Sequence, residues 1–162
     1  MNRRDYAAIV AGISNLASDR TQRMQATVDA FWAELGAKGV SWIGFYLCDG
    51  ADEMTLGPRR DKPACSPIGM HGACGRSFRL RRGILVRDVR TLGANYVACD
   101  PRDQAELVIP LFDEGGECWG VLDADSFDVG AFDVDDLRGM EKVLLAAGLT
   151  SRELRENEID NL

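Results

Sequence analysis

The run Trp42-Ile43-Gly44-Phe45-Tyr46-Leu47, extended upstream to Val40, carries apolar or aromatic residues on both alternating faces. Trp42, Gly44 and Tyr46 share one face, and Ile43, Phe45 and Leu47 share the other. A strand without a polar face persists only inside a sheet covered on both sides. The chain must therefore build a sheet between two layers. The segments upstream supply one of them. Tyr6, Ile9, Val10, Ile13 and Leu16 recur at helical spacing, as do Met24, Val28, Phe31 and Leu35 ahead of Gly36, so two amphipathic helices are predicted to open the chain.

Downstream, residues 49–103 are rich in Gly, Pro, Arg and Asp, with short strand candidates only at 54–56 and 84–86. This stretch reads as long functional loops on a scaffold. Residues 106–111 and 117–125 read as a strand pair around Asp113-Glu114-Gly115-Gly116, a hairpin expected to close the sheet. Asp133 and Asp136 form a capping arrangement ahead of Leu137, Met140, Leu144 and Ala147, which predicts a last helix running toward an acidic tail. Helices at both ends with strands between them indicate an α+β class, one antiparallel sheet with helices packed on it. A length of 162 residues with 46% apolar content suits one domain.

Asp and Glu number 26 against 19 Lys and Arg, a formal net charge of −7. Counterion release from a polyanion then cannot supply most of a binding energy, and nucleic acid is a poor candidate partner. No apolar run reaches the roughly 18 residues of a spanning helix. Arg3 and Arg4 precede an apolar stretch, but Asp5 and the helical spacing mark that stretch as structure, not a signal peptide. A soluble, cytoplasmic protein without a membrane partner is expected. Five cysteines, an odd number, without a secretion signal point to reduced, individually reactive thiols.

Asp123 and Asp125 fall on one strand face, about 7 Å apart. At an effective dielectric of about 20 their repulsion is about 2 kcal/mol, which a purely structural strand would avoid unless that face is solvated. Trp42 and Tyr46 also share a face. Large rings beside acidic groups suit a small cation with an apolar tail, and an amino acid has both features. Glu106 would add a third acidic wall. Cys65, Cys74 and Cys99 lie in the loop-rich middle, where thiols are expected to be accessible, while Cys48 and Cys118 fall at strand ends and are assigned to packing. A short helix opening at Cys74 would favour its thiolate, with Arg76 close by. Zinc held by the three loop cysteines and His71 is the alternative, but no two of these cysteines have the short spacing of structural zinc sites. Gly69, Gly72 and Gly75 resemble a phosphate loop weakly, since no Gly-Lys-Ser/Thr follows. Arg79, Arg81 and Arg82 read as a solvated basic patch.

Six segments, Trp42-Ile43-Gly44-Phe45-Tyr46-Leu47, Leu56-Gly57-Pro58, Lys62-Pro63-Ala64-Cys65, Ala73-Cys74-Gly75, Ala98-Cys99-Asp100 and Val121-Leu122-Asp123-Ala124-Asp125-Ser126, occur in order. Together they resemble the free methionine-(R)-sulfoxide reductases, a GAF-domain family. The resemblance implies a GAF-like fold: a central antiparallel sheet, helices from both termini on one face, and a loop-covered ligand pocket on the other. It implies one GAF domain over residues 1–162, with a core over 6–149 and an acidic tail over 150–162. Roles follow from it as well. Cys99 matches the sulfur that attacks substrate, Cys65 the one that resolves the sulfenic acid as a disulfide, and Cys74 an accessory thiol. Trp42, Tyr46, Glu106, Asp123 and Asp125 match the substrate pocket. The implied reaction is reduction of free L-methionine (R)-sulfoxide, a repair of oxidative damage. It uses no metal or organic cofactor, and thioredoxin serves as the transient external dithiol; a homodimer is left open. The chain departs from the family pattern at Tyr96, where a histidine is usual, and in a loop from Cys65 to Cys74 that is one residue short.

The chemistry asks for the same groups. A sulfoxide sulfur is electrophilic once its oxygen takes up a proton, so a thiolate and an acid must stand side by side. Crowding of Glu106, Asp123 and Asp125 should raise at least one pKa while another carboxylate holds the substrate ammonium. The rival reading is a non-catalytic GAF domain that binds a small molecule, or senses redox state, through the same pocket.

Overall fold

The computed structural model describes residues 3–13, 18–50, 52–96 and 99–162. Two helices, α1 (Tyr6–Ile13) and α2 (Arg20–Leu35), precede strands β1 (Trp42–Leu47), β2 (Glu53–Arg60) and β3 (Ile68–Gly69). Helix α3 (Ala73–Leu80), strand β4 (Gly83–Val86) and a 3-10 segment (Val89–Asn95) follow. The chain then forms strands β5 (Ala105–Phe112) and β6 (Cys118–Ser126), helix α4 (Val134–Ala146) and a closing strand β7 (Ile159–Asn161). Leu16, part of the helical spacing, lies outside the described residues.

Both long helices begin where acidic side chains can satisfy free amide groups. Asp19 accepts from the Gln22 amide at 2.9 Å while the Gln22 side chain accepts from Asp19 at 3.2 Å. Asp133 and Asp136 exchange the same pair of bonds at 2.9 and 3.1 Å. Reciprocal caps of this kind fix the first turn and contribute about 1 kcal/mol each.

The seven strands lie in the order β3-β2-β1-β6-β5-β4-β7. All neighbouring pairs are antiparallel except β4 with β7. As its two apolar faces require, β1 is interior. The β5–β6 hairpin does not close the sheet but sits at its centre. All eight residues of β5 are buried, and a strand of that kind needs a partner on each side.

The sheet separates two cores. On one face α1, α2 and α4 bury Ile9, Val28, Phe31, Leu35, Leu137 and Leu144 against Ile43, Phe45, Leu107, Leu122 and Ala124. On the other, Trp42, Tyr46, Val108 and Val121 pack with Met54, Ile68, Cys74, Ile84 and Val86 under α3 and its flanking loops. Truncating Phe31, fully enclosed in the first core, would cost about 3–5 kcal/mol.

Two expectations need correction. The segment 49–103 is not chiefly loop, for it holds β2, β3, α3, β4 and the 3-10 segment. Nor do residues 150–162 form a detached acidic tail. β7 pairs in parallel with β4, and Leu162 donates to Leu85 at 2.8 Å while its carbonyl accepts from Arg87 at 3.0 Å. Acidic character there has a local use: Asp160 accepts from Arg82 Nε at 2.8 Å and from Arg76 Nη2 at 3.1 Å.

Candidate active site

Strand register assembles the floor of a cavity from three neighbouring strands. Asp123 stands between Gly44 and Val108, and Asp125 stands between Trp42 and Glu106. With Tyr46 opposite Val121, one patch of the sheet presents two rings, three carboxyls and two valines. The Trp42 and Tyr46 ring centroids are 6.1 Å apart. Gly44 makes this packing feasible, because a Cβ there would fall 2.4 Å from the Trp42 ring. The indole occupies the space that a side chain at 44 would take.

Loops and the start of α3 form the roof. The Trp42 indole donates to the Lys62 carbonyl and the Tyr46 hydroxyl to the Cys65 carbonyl, both at 2.8 Å, so the two rings that line the floor also pin the Cys65 loop. Lys62 Nζ pairs with Asp100 Oδ2 at 2.8 Å and ties that loop to the one carrying Cys99. Arg102 closes on the same carboxylate at 2.8 Å and stacks over Phe127 at 4.5 Å. Cys65 and Cys99 are exposed, and their thiols lie within hydrogen-bonding reach of each other. The cavity measures about 280 Å³, and Trp42, Tyr46, Cys74, Tyr96, Cys99 and the three carboxyls are among its walls.

Burial dominates the electrostatics. The carboxyls of Glu106, Asp123 and Asp125 are all held well above the usual carboxylate range, first by desolvation and then by one another. Glu106 and Asp123 are within hydrogen-bonding reach of each other, and burial together with this contact favours a proton retained on the pair. Glu106 Oε2 and Asp123 Oδ1 are sealed from solvent and meet no fixed donor among the described residues. A buried oxygen in that state costs about 1–3 kcal/mol unless a shared proton or an incoming cation satisfies it. Although the residue reaches the surface, the Cys99 thiol itself is partly desolvated, and this together with Cys65 pushes it up to about 12. Asp103, whose carboxylate accepts from Ser41 at 3.2 Å, is pushed up to about 6 by burial and by Asp100.

The structure brings Trp42, Tyr46, Cys74, Cys99, Glu106, Asp123 and Asp125 together around this one cavity, and sets the Cys65 thiol beside that of Cys99. Cys74 differs from expectation. It is buried on the first turn of α3, and its thiol is pushed well up, by desolvation first and by Asp123 and Glu106 next, so the helix end and Arg76 do not produce a thiolate. The carboxyls beneath it outweigh a helix terminus. The solvated-face alternative for Asp123 is likewise set aside, since that residue is 6% exposed. The zinc set weighed as an alternative does not form among the described residues, where the one group with metal-ligand spacing is Cys74, Glu106 and Asp123. His71 is exposed. Of the glycines at 69, 72 and 75, the last has a packing role instead: a Cβ at Gly75 would meet the Met70 backbone at 2.2 Å. Cys48 and Cys118 are half-buried at strand ends.

Sequence reasoning missed Ser41, Asp103 and Phe127, and left Lys62 and Asp100 unused although both stand in quoted segments. The Asp100-Pro101 turn was the available signal, because Asp100 accepts from the Arg102 amide at 3.0 Å and so shapes the loop after Cys99. Among the described residues no helix is long and apolar enough to cross a membrane.

Comparison with known proteins agrees with this fold. The GAF domain profile matches residues 17–149. The chain is 30% identical over 147 residues to the free methionine-R-sulfoxide reductase of Escherichia coli, covering 87% of this chain and 81% of that protein. Reduced fRMsr of Staphylococcus aureus superposes with a TM-score of 0.81 at 27% identity, covering 91% of this chain and 95% of that one. Free methionine-R-sulfoxide reductase from Neisseria meningitidis, solved in complex with its substrate, superposes with a TM-score of 0.77 at 29% identity, covering 88% and 83%. A GAF sheet with this pocket, and relatives alike over most of their length, mean that the chain belongs to the free methionine-R-sulfoxide reductase family of GAF-domain proteins.

Proposed function

We propose that this protein reduces free L-methionine (R)-sulfoxide to L-methionine through its own thiols, with Cys99 as the attacking sulfur. The observation that carries the reading is the meeting of the exposed Cys65 and Cys99 thiols at the rim of a cavity floored by buried, proton-holding carboxyls. One carboxyl of the Glu106–Asp123 pair gives a proton to the sulfoxide oxygen as the Cys99 thiolate attacks sulfur. The oxygen passes to Cys99, methionine leaves, and Cys99 becomes a sulfenic acid. Cys65 then condenses with it, forming a disulfide and releasing water. An external dithiol, thioredoxin in our reading, takes up the oxidising equivalents and returns both thiols. No metal or organic cofactor enters the cycle.

Selectivity for the free amino acid follows from the floor. An ammonium satisfies the unpartnered carboxylate oxygens, whereas the amide of a peptide or of an N-acetylated substrate leaves them unpaired in a closed space. Sites built around a polar group reject analogues lacking it by roughly 10⁴-fold. Trp42 and Tyr46 enclose the methyl and methylene groups, and Tyr96 stands against the carboxyls with its hydroxyl proton held firmly by burial and by Asp125.

The test is a single turnover followed by intact mass and a thioredoxin-coupled assay. The unsubstituted protein should lose two hydrogens per equivalent of sulfoxide. Cys65→Ser should release one equivalent of methionine and then stop. Cys99→Ser should release none, and N-acetylmethionine sulfoxide should be turned over at least about 10³-fold more slowly. A binding or sensing pocket would leave the mass unchanged. Steady-state activity in Cys99→Ser would overturn the assignment.

A further inference from the structure

The deepest wall of the cavity sets a sulfur among oxygens. Cys74 Sγ and one carboxylate oxygen each from Glu106 and Asp123 lie within 4.8 Å of one another. These residues are 5%, 6% and 6% exposed. Glu106 Oε2 and Asp123 Oδ1 meet no donor among the described residues. An ammonium group can satisfy the two oxygens but gains nothing from a thiol. A borderline-soft divalent cation takes all three donors. We propose that Cys74, Glu106 and Asp123 form a zinc-binding site, and that zinc held there inhibits the protein by occupying the place of the substrate ammonium. The inhibitory half rests on the substrate pocket proposed above; the zinc site itself does not.

The dimensions suit the ion. With Zn–S near 2.3 Å and Zn–O near 2.0 Å, neighbouring ligands of a tetrahedral zinc stand roughly 3.3–3.5 Å apart. The three donors need to close by little more than about 1 Å, within the reach of side-chain rotation, and the fourth position opens to the cavity and to water. Charge favours the ion as well. Three anionic donors packed together repel, whereas with Zn²⁺ they leave a single net negative charge. No electron moves on binding. The protons that the thiol and the carboxyl pair hold are released to solvent as the metal replaces them.

The reduced protein, titrated first with Co²⁺ and then with Zn²⁺, provides the test. One Co²⁺ per chain should bind with a thiolate-to-cobalt charge-transfer band, which carboxylate ligation alone does not give, and Zn²⁺ should displace it. Zinc affinity is read by competition with a chromophoric chelator. Cys74→Ser should abolish the band and weaken zinc at least about 100-fold, while the near-isosteric Glu106→Gln should weaken zinc similarly and keep a band. Cys65→Ser and Cys99→Ser should change neither reading. A band and affinity that survive Cys74→Ser, or that vanish in Cys65→Ser or Cys99→Ser, would overturn the site.

Free methionine, but not N-acetylmethionine, should weaken zinc binding, and zinc should raise KM while leaving kcat unchanged. A Cys74-dependent zinc site that ignores methionine would sustain the metal site and remove both the inhibition and the substrate pocket. A protein that reduces the sulfoxide yet never shows the thiolate band would remove the zinc site and leave the proposed function standing.

Discussion

Among the described residues no cation stands by Cys99 to draw off its proton. Lys62 and Arg102 both spend their charge on Asp100, whose carboxyl they hold well below the usual range, while burial and the Cys65 thiol push Cys99 up to about 12. Below that value the thiolate fraction grows about tenfold for each pH unit. Alkylation of Cys99 by iodoacetamide, followed by peptide mass spectrometry, should therefore accelerate about tenfold per unit from pH 7 to pH 9 in the free protein. A plateau near neutrality would mean that some group the structure does not place there lowers the pKa. At this scale sequence reading succeeds with the residues that strand alternation sets, because Trp42, Tyr46, Asp123 and Asp125 must share a face once β1 and β6 pair. It fails where position depends on loops meeting across the chain. Ser41 reaches Asp103 across 62 residues of separation, and no local pattern announces that contact. Cys74 fails for a related reason: its burial follows from Gly75 lying against the Met70 backbone, which draws the first turn of α3 down onto the carboxyls.

Among the elements, the most legible were those with a strong period or a cap: α2, α4, β1 and the β5–β6 hairpin. β2 was seen only in part. Its exposed positions interrupt the alternation, and Gly57-Pro58 reads as a turn. The β1–β2 register in fact slips between Gly44 and Tyr46, an irregularity that accommodates a residue without an amide proton. β7 carries no signal of its own, since three residues become a strand only because β4 offers a free edge. That short strand is held at its middle by Asp160, with Arg82 and Arg76 on either side, and Arg76 belongs to the helix that carries Cys74. Asp160→Ala should leave the global fold intact and speed amide exchange in Ile159–Asn161 and Leu162 by about tenfold, with a smaller increase in the first turn of α3. Unchanged exchange in β7 would show that backbone pairing alone holds the strand, and that the arginines contribute no more than exposed ion pairs usually do.

The molecule as a whole holds two opposed sets of carboxyls, and their balance sets its response to pH. Asp88, Asp100 and Asp160 are drawn below the ordinary range by arginine and lysine partners. Their contribution is present above about pH 4 and is lost as pH falls through the depressed folded values. Glu106, Asp123 and Asp125 are pushed well up, and Asp103 to about 6. For these the unfolded chain loses its protons near pH 4 while the folded chain retains them. Stability therefore falls as pH rises from about 4 through each folded value. Thermal stability of the ligand-free protein should peak near pH 5 and decline toward pH 8, and the decline should persist at moderate salt, where repulsion from a net charge of −7 spread over a solvated surface is screened. Asp123→Asn removes one member of the destabilising set without changing its shape. At pH 8 it should raise the thermal midpoint by roughly 2–4 °C, the equivalent of about 1 kcal/mol in a domain of this size, and narrow the gap between pH 5 and pH 8. Under the proposed function the same substitution should abolish turnover of free methionine sulfoxide, because the carboxyl whose burial destabilises the fold is the one proposed to hold the substrate ammonium. A midpoint lowered at pH 8, in Asp123→Asn and Glu106→Gln alike, would mean that these side chains hold the sheet together, and that the cavity floor is a structural network.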